Sequence, residues 1–396
     1  MNKPELLAPA GNLEKLKIAY LYGADACYVG GKKFSLRARA SNFTLDDIEE
    51  GARFAHNLGK KLYITMNIVP HEDDFDDLVE YLKFLEKNKI DGIIVSSMYI
   101  AKTAMKYTPS IEVHLSTQAS CVNSESAMFY EKQGFKRVVL GRELSCEQIS
   151  KLTSKINIET EVFIHGGMCT SYSGRCMLSN HLTNRDANRG GCAHSCRWNY
   201  NIYDKEFNKL NNDSYLNIGS KDLMAVNYIG KLIDANVKSL KIEGRMKSLY
   251  YIACVVKCYR KIIDDYCMGK EVDALYYSKE IQKAENRLTS CGFLNGMVTT
   301  NEQLYNVRAE IPTKDFLGIV MDYNEKTGEC IIEVRNYFEK DYKIEFFGPD
   351  LDNREFIVDN IYDTNDELLD AARHPLQLVK LYIPFKVTKF DMLRKI

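Results

Sequence analysis

The chain has 396 residues, of which 45% are hydrophobic and 27% are charged, which suffices for two ordinary domains with cores of their own. It opens with no basic-then-apolar leader and has no apolar run that could span a bilayer, so we expect a cytoplasmic protein without a membrane partner. Its 12 cysteines therefore indicate reduced thiols and ligands rather than a disulfide framework.

The net charge of −1 gives no overall argument for nucleic acid, but the charge is unevenly spread. Residues 311–396 contain 12 Lys and Arg against 17 Asp and Glu, which leaves 41 against 37 for residues 1–310. Any polyanion that the chain binds is therefore expected on the first part.

Eight apolar, β-branched runs recur along that first part, and helical patterns follow most of them. This alternation is typical of a parallel sheet, and eight strands close a (β/α)8 barrel. The predicted strands begin at Glu5, Ala26, Lys61, Gly92, Glu112, Arg137, Glu161 and Ser239. The predicted helices include residues 45–58, 75–88, 124–133, 222–235 and 248–267. We therefore predict an α/β fold in which residues 1–305 form a TIM-like (β/α)8 barrel.

The most informative feature follows the seventh predicted strand. Cys169, Cys176, Cys192 and Cys196 form the pattern C-x6-C-x15-C-x3-C in a stretch rich in glycine, serine and arginine. Four converging thiolates repel one another unless a cation or a cationic cluster joins them. The stretch from Cys169 to Tyr200 contains four arginines and one aspartate, and its net positive charge would offset an anionic iron-sulfur centre. We predict a metal-thiolate loop at 169–196, favour iron-sulfur over zinc, and place it at the C-terminal face where barrel enzymes keep their active sites.

The other cysteines lie in or beside apolar segments without a convincing set of partners at ligand spacing. We expect them to be buried free thiols, because unoxidised cysteine packs as a small hydrophobe. They are Cys27, Cys121, Cys146, Cys254, Cys258, Cys267, Cys291 and Cys330.

Charged side chains that follow other predicted strands are expected at the same mouth of the barrel. Guanidinium groups bind carboxylates and phosphates bidentately, so these positions predict a small anionic substrate, and pairing with nearby acids is the alternative. The candidates are Arg37 and Arg39 after strand two, Arg142 after strand six, and Glu243 and Arg245 after strand eight.

Two histidines lie inside predicted strands. His114 is in strand five and His165 is in strand seven. A lone strand histidine is more often a core residue than a catalyst, but inward-facing positions near the ends of these strands would line the site. Both are therefore kept as candidate catalytic residues.

Residues 311–396 are predicted to form a separate, small antiparallel β-barrel. Short β-rich runs are separated by turns such as residues 324–328 and 348–350. The runs are residues 316–323, 329–336, 342–347, 355–362 and 376–383. No catalytic motif is present in this part of the chain.

Several segments together resemble the collagenase-like peptidase family U32. They are ELLAPAGNLEKLKIAYLYGADACYVGG, FSLRARASNF, HLSTQAS, VFIHGGMCTSYSGRCMLSN, GCAHSCRW, SKDL and SLKIEGRMKS. The resemblance covers the barrel nearly end to end. The spacing that ends in Cys192-x3-Cys196-Arg197-Trp198 is most similar to the branch of the family that hydroxylates tRNA.

The resemblance implies hydroxylation of the wobble uridine to 5-hydroxyuridine, without O2 and with prephenate as the oxygen source. It implies a 4Fe-4S cluster on Cys169, Cys176, Cys192 and Cys196. The partners would be the tRNA anticodon loop and the small anionic co-substrate, and the need for a related partner subunit stays open. The segment between Trp198 and Ser220 is short where some members of the branch carry a long insertion, which leaves accessory RNA contacts there in doubt.

Charge and aromatic faces occur together beside the cysteines, a combination that holds single-stranded RNA with its bases unstacked. The alternative is that the arginines only offset the cluster charge and the aromatic rings pack within the loop. The candidate RNA contacts are Arg185, Arg189, Arg197, Trp198 and Tyr200.

Two other classes of function are weighed. A collagenase-like peptidase is the first, but the chain has no H-E-x-x-H, no G-x-S-x-G and no cysteine nucleophile once four cysteines bind a cluster. A non-catalytic scaffold held together by zinc is the second, and it predicts a colourless protein.

Overall fold

The computed structural model describes residues 3–36, 42–211, 215–304 and 316–396. Its first part is a ten-stranded sheet in which eight parallel strands close into a barrel. The strands are β1 Glu5–Pro9, β2 Ala26–Gly30, β3 Lys61–Met66, β4 Gly92–Val95, β5 Glu112–Leu115, β6 Arg137–Val139, β7 Glu159–Gly166, β8 Asp222–Met224, β9 Ser239–Ile242 and β10 Thr289–Ser290. Because β9 pairs in parallel with both β7 and β1, the barrel closes, and the predicted (β/α)8 fold is confirmed.

Helices follow most of the strands and cover the barrel. They are α1 Leu13–Leu21, α2 Leu45–Asn57, α3 Leu78–Lys87, α4 Met98–Tyr107, α5 Ser124–Lys132, α6 Cys146–Thr153, α7 Leu178–Thr183, α8 Ile229–Asp234, α9 Leu249–Cys267 and α10 Ala274–Gln282. Polar side chains cap their first turns: Thr44 and Asp47 form a capping box on α2, and Ser248 caps α9.

The predicted helix over 222–235 is wrong in its first half. Asp222–Met224 form β8, which pairs antiparallel with the end of β7 and parallel with β10. The helix α8 begins only at Ile229. The apolar residues whose spacing favoured a helix are Leu223, Val226 and Ile229. All three are buried in the core, but Leu223 belongs to the strand, whereas Ile229 begins the helix.

The lumen of the barrel contains a buried network of charges at its N-terminal end. Arg137 on β6 donates to Glu5 on β1 at 2.6 Å and to Glu159 and Glu161 on β7 at 2.9 and 3.3 Å. Lys241 on β9 donates to Glu161 at 2.6 Å. Each buried carboxylate therefore has a cationic partner, which is what allows these groups to be buried.

The C-terminal part is built around an eight-stranded antiparallel sheet with its own apolar core, which confirms the predicted antiparallel β-domain. The remaining strands are β11 Phe316–Asn324, β12 Glu329–Val334, β13 Phe338–Glu339, β14 Lys343–Phe347, β15 Arg354–Ile357, β16 Ile361–Tyr362, β17 Leu368–Leu369, β18 Ala371–Ala372, β19 Leu378–Tyr382 and β20 Met392–Lys395. The hydrogen-bonded order of the eight-stranded sheet is β15-β14-β20-β11-β12-β19-β16-β17, and β13 pairs with β18 in a separate two-stranded sheet.

The C-terminal sheet packs directly on the barrel. Arg394 on β20 is fully buried and donates to Glu345 on β14 at 2.6 Å and to Glu280 on α10. Tyr22, at the end of α1, donates to the Phe390 carbonyl at 2.8 Å. Polar and apolar contacts therefore join the two parts. Over the described residues, the structure contains no helix with the length and apolar character needed to cross a bilayer.

Candidate active site at the mouth of the barrel

A long loop between β7 and β8 covers the C-terminal mouth of the barrel and carries the four candidate cysteines. It starts at Gly166, whose φ of 99° lies in the left-handed region that favours glycine. Glu143, just after β6, accepts hydrogen bonds from the amide and the hydroxyl of Ser173 at 2.5 and 3.1 Å. This contact fixes the turn between Cys169 and Cys176 to the barrel wall.

The second half of the loop is fixed to the segment after β3. The Val69 amide donates to the Asn188 carbonyl at 3.0 Å, and Arg189 forms an ion pair with Asp74. The Asn188 side chain also accepts from the Cys176 amide at 3.2 Å and donates to the Cys176 carbonyl at 3.0 Å. Asn188 therefore holds the backbone on both sides of one candidate ligand.

Two of the thiols accept backbone hydrogen bonds from the residue two positions on. The Ser171 amide lies 3.4 Å from Cys169 Sγ, and the Leu178 amide lies 3.3 Å from Cys176 Sγ. Amide donors of this kind stabilise anionic sulfur and tune the potential of iron-sulfur centres. The local backbone thus favours the thiolate form of both side chains.

The four thiols act on one another electrostatically. The pKa of Cys196 is raised to about 11, mainly by burial and also by Cys169, Cys192 and Cys176, while Arg197 acts to lower it. The loop therefore brings the four sulfur atoms into one neighbourhood, where a bound cation would reverse this shift.

The thiols are near one another without being arranged as ligands. Within residues 3–36, 42–211, 215–304 and 316–396, no three Cys, His, Asp or Glu side chains converge in a geometry that could hold a metal ion. Cys169 and Cys192 are exposed, whereas Cys176 and Cys196 are half-buried. The site is chemically suited to an iron-sulfur group, because it offers four soft sulfur donors, amide hydrogen bonds to two of them and arginines nearby.

The predicted RNA-contacting residues have different environments. Arg197 is buried and donates to Asp222 Oδ1 and to the Met168 carbonyl, each at 3.2 Å, while Arg189 pairs with Asp74. Tyr200 donates to the Ser195 carbonyl at 2.6 Å. Arg185 is exposed, and Trp198 is 43% exposed. The side chains of Arg185 and Trp198 are thus the most accessible to RNA.

The candidate anion-binding arginines are also engaged. Arg142 lies 3.7 Å from the centroid of the Phe163 ring and donates to the Gly167 carbonyl. Arg245 is buried and donates to Ser35 Oγ and Thr65 Oγ1 at 2.9 and 3.2 Å. It therefore holds the segment that follows β2.

The three remaining predicted mouth residues are Glu243, Arg37 and Arg39. Glu243 accepts a hydrogen bond from Tyr28 at 3.0 Å. Arg37 and Arg39 lie outside the described residues, so their assignment stays a prediction.

The two histidines are fully buried. His114 Nε2 lies 3.1 Å from Glu112, its ring packs edge-on against Tyr63, and burial lowers its pKa. His165 Nδ1 lies 3.2 Å from the Tyr259 hydroxyl on α9, and its Nε2 lies 3.0 Å from Glu285. The structure therefore places His165 against helix α9 and gives both rings carboxylate neighbours.

Sequence reasoning missed a second group of charged residues at the mouth. Asp222 on β8 lies near Arg197, Lys247 and Arg287. Asp222 and Lys247 occur in the segments SKDL and SLKIEGRMKS, but nothing in the spacing of the sequence shows that they meet. Their convergence depends on the antiparallel pairing of β8 with β7.

A (β/α)8 barrel with a cysteine-bearing loop after its seventh strand, followed by an antiparallel sheet, defines the class of this protein. A family model described as Peptidase family U32 matches residues 11–304, and one described as the C-terminal domain of that family matches residues 312–394. The chain therefore belongs to peptidase family U32.

Some relatives of this chain are named for tRNA hydroxylation, and one is named as a collagenase. The tRNA hydroxylation protein P1 of Bacillus subtilis is 46% identical over 99% of this chain and 95% of the relative. The tRNA hydroxylation protein P of Escherichia coli is 32% identical over 97% of this chain and 94% of the relative. A protein of Porphyromonas gingivalis named collagenase is 36% identical over 68% of this chain and 67% of the relative.

Proposed function

We propose that this protein is an iron-sulfur enzyme that hydroxylates the wobble uridine of tRNA to 5-hydroxyuridine, with prephenate as the oxygen donor. The observation that carries the proposal is the 46% identity over 99% of the chain with a relative named for tRNA hydroxylation. The cysteine loop at the barrel mouth supports it, because it puts four soft ligands where barrel enzymes perform catalysis.

Cys169, Cys176, Cys192 and Cys196 are the residues that would hold a 4Fe-4S cluster. A bound cluster supplies electron transfer or a Lewis-acidic iron at the mouth of the barrel. The protein contributes the amide hydrogen bonds to Cys169 and Cys176 and the positive charge of Arg197 beside Cys196. These groups stabilise the thiolate form that ligation requires.

The overall reaction replaces the C5–H bond of the uridine by a C5–OH bond. The base loses two electrons in this change, so a donor that works without O2 has to supply the oxygen atom and accept the electrons. The protein therefore needs a binding place for a small anion close to the cysteines. The mouth supplies positive charge for it, because Arg142, Arg197 and Arg245 all lie there.

The RNA substrate is expected to approach the exposed face of the cysteine loop. A base in an anticodon loop is already unpaired, so moving it into the barrel mouth costs only unstacking energy, a few kcal/mol. Trp198, which is 43% exposed, supplies a stacking surface, and the exposed Arg185 supplies charge for a phosphate.

The function is tested by mass spectrometry of tRNA nucleosides from cells that lack the protein. We expect 5-hydroxyuridine and its derivatives to fall, and to return when the gene is restored. An unchanged level in cells without a redundant enzyme would contradict the proposal.

The cofactor is tested separately, because protein purified without oxygen should be brown and carry about four iron atoms per chain. Colourless protein with stoichiometric zinc would support the scaffold alternative.

A peptidase is the second candidate, since one relative is named collagenase. The described hydrogen bonds give it little support. His114 and His165 contact a carboxylate and a tyrosine, and within the described parts of the chain neither is hydrogen-bonded to a serine or cysteine. Cleavage of collagen or gelatin by protein stripped of iron would establish this alternative.

A further inference from the structure

A β-hairpin follows the last candidate ligand of the cysteine loop. Its described residues are 200–211 and 215–216. Tyr200 and Leu216 exchange two backbone hydrogen bonds of 2.9 Å, and the Tyr200 hydroxyl donates to the Ser195 carbonyl at 2.6 Å. These contacts hold the base of the hairpin next to that candidate ligand.

The hairpin exposes several large aromatic rings. Tyr203 is 52% exposed, Phe207 is 86% exposed and Tyr215 is 49% exposed. Soluble proteins scatter single apolar side chains over their surfaces, but a group of them within one short segment marks an interaction site. The hairpin is therefore a surface for a partner, and the character of its side chains indicates which kind.

Two of these rings share one face of the hairpin with a lysine. Tyr203 and Lys209 lie directly opposite each other in the antiparallel pairing, so their side chains are on the same face. The Lys209 ammonium lies 5.6 Å from the centroid of the Tyr215 ring, which puts Tyr215 on that face as well. Aromatic rings interleaved with cations are typical of surfaces that bind single-stranded nucleic acid.

The third ring stands at the tip of the hairpin in a strained conformation. Phe207 has a φ of 63°, in the left-handed region that favours glycine. The tip is fixed by Asp204, whose carboxylate accepts two backbone amides of the turn at 2.9 and 2.8 Å. Packing does not explain the ring, because most of it is exposed. A strained and exposed phenylalanine therefore indicates a function for the ring itself.

The loop that carries the hairpin is positively charged. Residues 167–221 contain 7 Lys and Arg against 4 Asp and Glu. Arg189 and Arg197 are paired with acids outside this range. Arg175 and Arg185 are exposed and form no ion pair with any residue that the structure describes. These two guanidinium groups complement the phosphates of a nucleic acid.

We propose that the hairpin is an arm that binds the single-stranded part of the tRNA anticodon loop, with Tyr203, Phe207 and Tyr215 stacking on bases that flank the target base. The proposal rests on the proposed function for the identity of the RNA. Bases beside the wobble position are unpaired, so their faces are available for stacking. Because the base of the hairpin lies next to Cys196, a loop held by the arm stays close to the cysteine site.

The test is fluorescence anisotropy of a labelled anticodon stem-loop RNA with iron-loaded protein, under anaerobic conditions and without prephenate. Phe207→Gly removes the ring and relieves the left-handed backbone, so it should preserve the melting temperature and still weaken RNA binding about tenfold, as loss of one stacked base implies. Tyr203→Ala should weaken binding to a similar extent, whereas Tyr203→Phe keeps the stacking face and should bind as the wild type does. The salt dependence of binding should not change, because no charge is removed.

The matched control is Tyr107→Ala. Tyr107 is 43% exposed and is the last residue of α4, at the end of the barrel opposite the mouth, so its replacement should leave RNA binding unchanged. Wild-type affinity in Phe207→Gly and Tyr203→Ala, with iron content preserved, would overturn the proposal. A lower mass of these two variants in light scattering would then assign the hairpin to contacts between copies of the chain. Unchanged 5-hydroxyuridine in deletion cells would contradict the function alone, because anisotropy measures RNA binding without the reaction.

Discussion

At the scale of single residues, the cysteines divide into thiols of the core and thiols of the loop. Of the eight outside the loop, Cys267 and Cys291 are half-buried, which differs from the expectation that all eight are buried. Cys27 and Cys330 are fully buried, and burial raises the pKa of Cys330 to about 12. The four loop cysteines are instead partly or fully exposed beside arginines. The first group is therefore suited to packing and the second to ligation.

Replacement of any one loop cysteine by alanine should remove most of the bound iron, because each would supply one of four ligands. The measurement is iron per chain together with visible absorption, in protein purified without oxygen. Cys27→Ala and Cys330→Ala are the controls and should keep full iron. Full iron in a variant of Cys169, Cys176, Cys192 or Cys196 would remove that residue from the ligand set.

The charges in the barrel lumen predict a pH dependence of stability. Burial alone would raise the pKa of Glu161, but Lys241 and Arg137 outweigh that effect and hold its pKa below the ordinary value of 4.5. A carboxyl group with a depressed pKa in the folded state stabilises the protein above its unfolded pKa, and the contribution is lost as the pH falls through the folded pKa.

Glu161→Gln should therefore lower the free energy of unfolding at pH 7 by about 3 kcal/mol, since the buried Lys241 loses its carboxylate partner and Arg137 loses one of its three. Below pH 4.5 the difference from wild type should shrink. Urea unfolding at pH 7, 5 and 4 measures both effects. The exposed Glu147→Gln is the control, and a difference that stays constant with pH would contradict the prediction.

Residue types and spacing were enough to single out the cysteines, because thiol ligands occur close together in the sequence. The group of Asp222, Lys247 and Arg287 could not be predicted in this way. Its members come from three segments and meet only because β8 turns back along β7. The pairing of Arg197 with Asp222 likewise shows that its charge faces inward, which its place in the sequence does not reveal.

At the scale of elements, the cysteine loop depends on a few side chains that fix it. Asn188 contacts the backbone of Cys176 through both its oxygen and its nitrogen. Asn188→Ala should speed the loss of iron to a chelator several-fold while leaving the iron content of fresh protein near normal. Asn208→Ala is a matched control, because the Asn208 side chain donates to Asp204 and, among the described residues, to no cysteine. Equal rates of iron release would show that Asn188 does not hold the loop.

Strands were easier to predict than the elements between them. The eight barrel strands are buried on both faces and appear as continuous β-branched runs, so their positions were close to those observed. The short strands β8, β10, β13, β17, β18 and β20 were not predicted. Strands of two to four residues carry too little periodic pattern, and their pairing is set by neighbours in the fold.

At the scale of the whole molecule, one buried arginine joins the two parts of the chain. Arg394 is 2% exposed and contacts Glu345 within the C-terminal sheet and Glu280 on α10 of the barrel. Its guanidinium also lies 4.6 Å from the centroid of the Phe347 ring. The C-terminal sheet is thus fixed to the barrel by charge as well as by packing.

Arg394→Gln should lower the free energy of unfolding by about 3 kcal/mol, because Glu280 and Glu345 lose their buried cation and keep only the more exposed Lys283. Chemical denaturation followed by circular dichroism measures this loss. Arg373→Gln, which breaks an exposed ion pair with Asp370, should leave the midpoint unchanged. Equal midpoints for the two variants would show that Arg394 contributes no more than a surface residue.

The pairing of His165 with Met224 and of Gly166 with Leu223 has an evolutionary consequence. It brings the two ends of the cysteine loop together, so residues 167–222 leave and re-enter the barrel at one point. Lengthening a segment whose ends are already joined costs little, about 0.6 kcal/mol per doubling. Insertions can therefore accumulate there without opening the barrel.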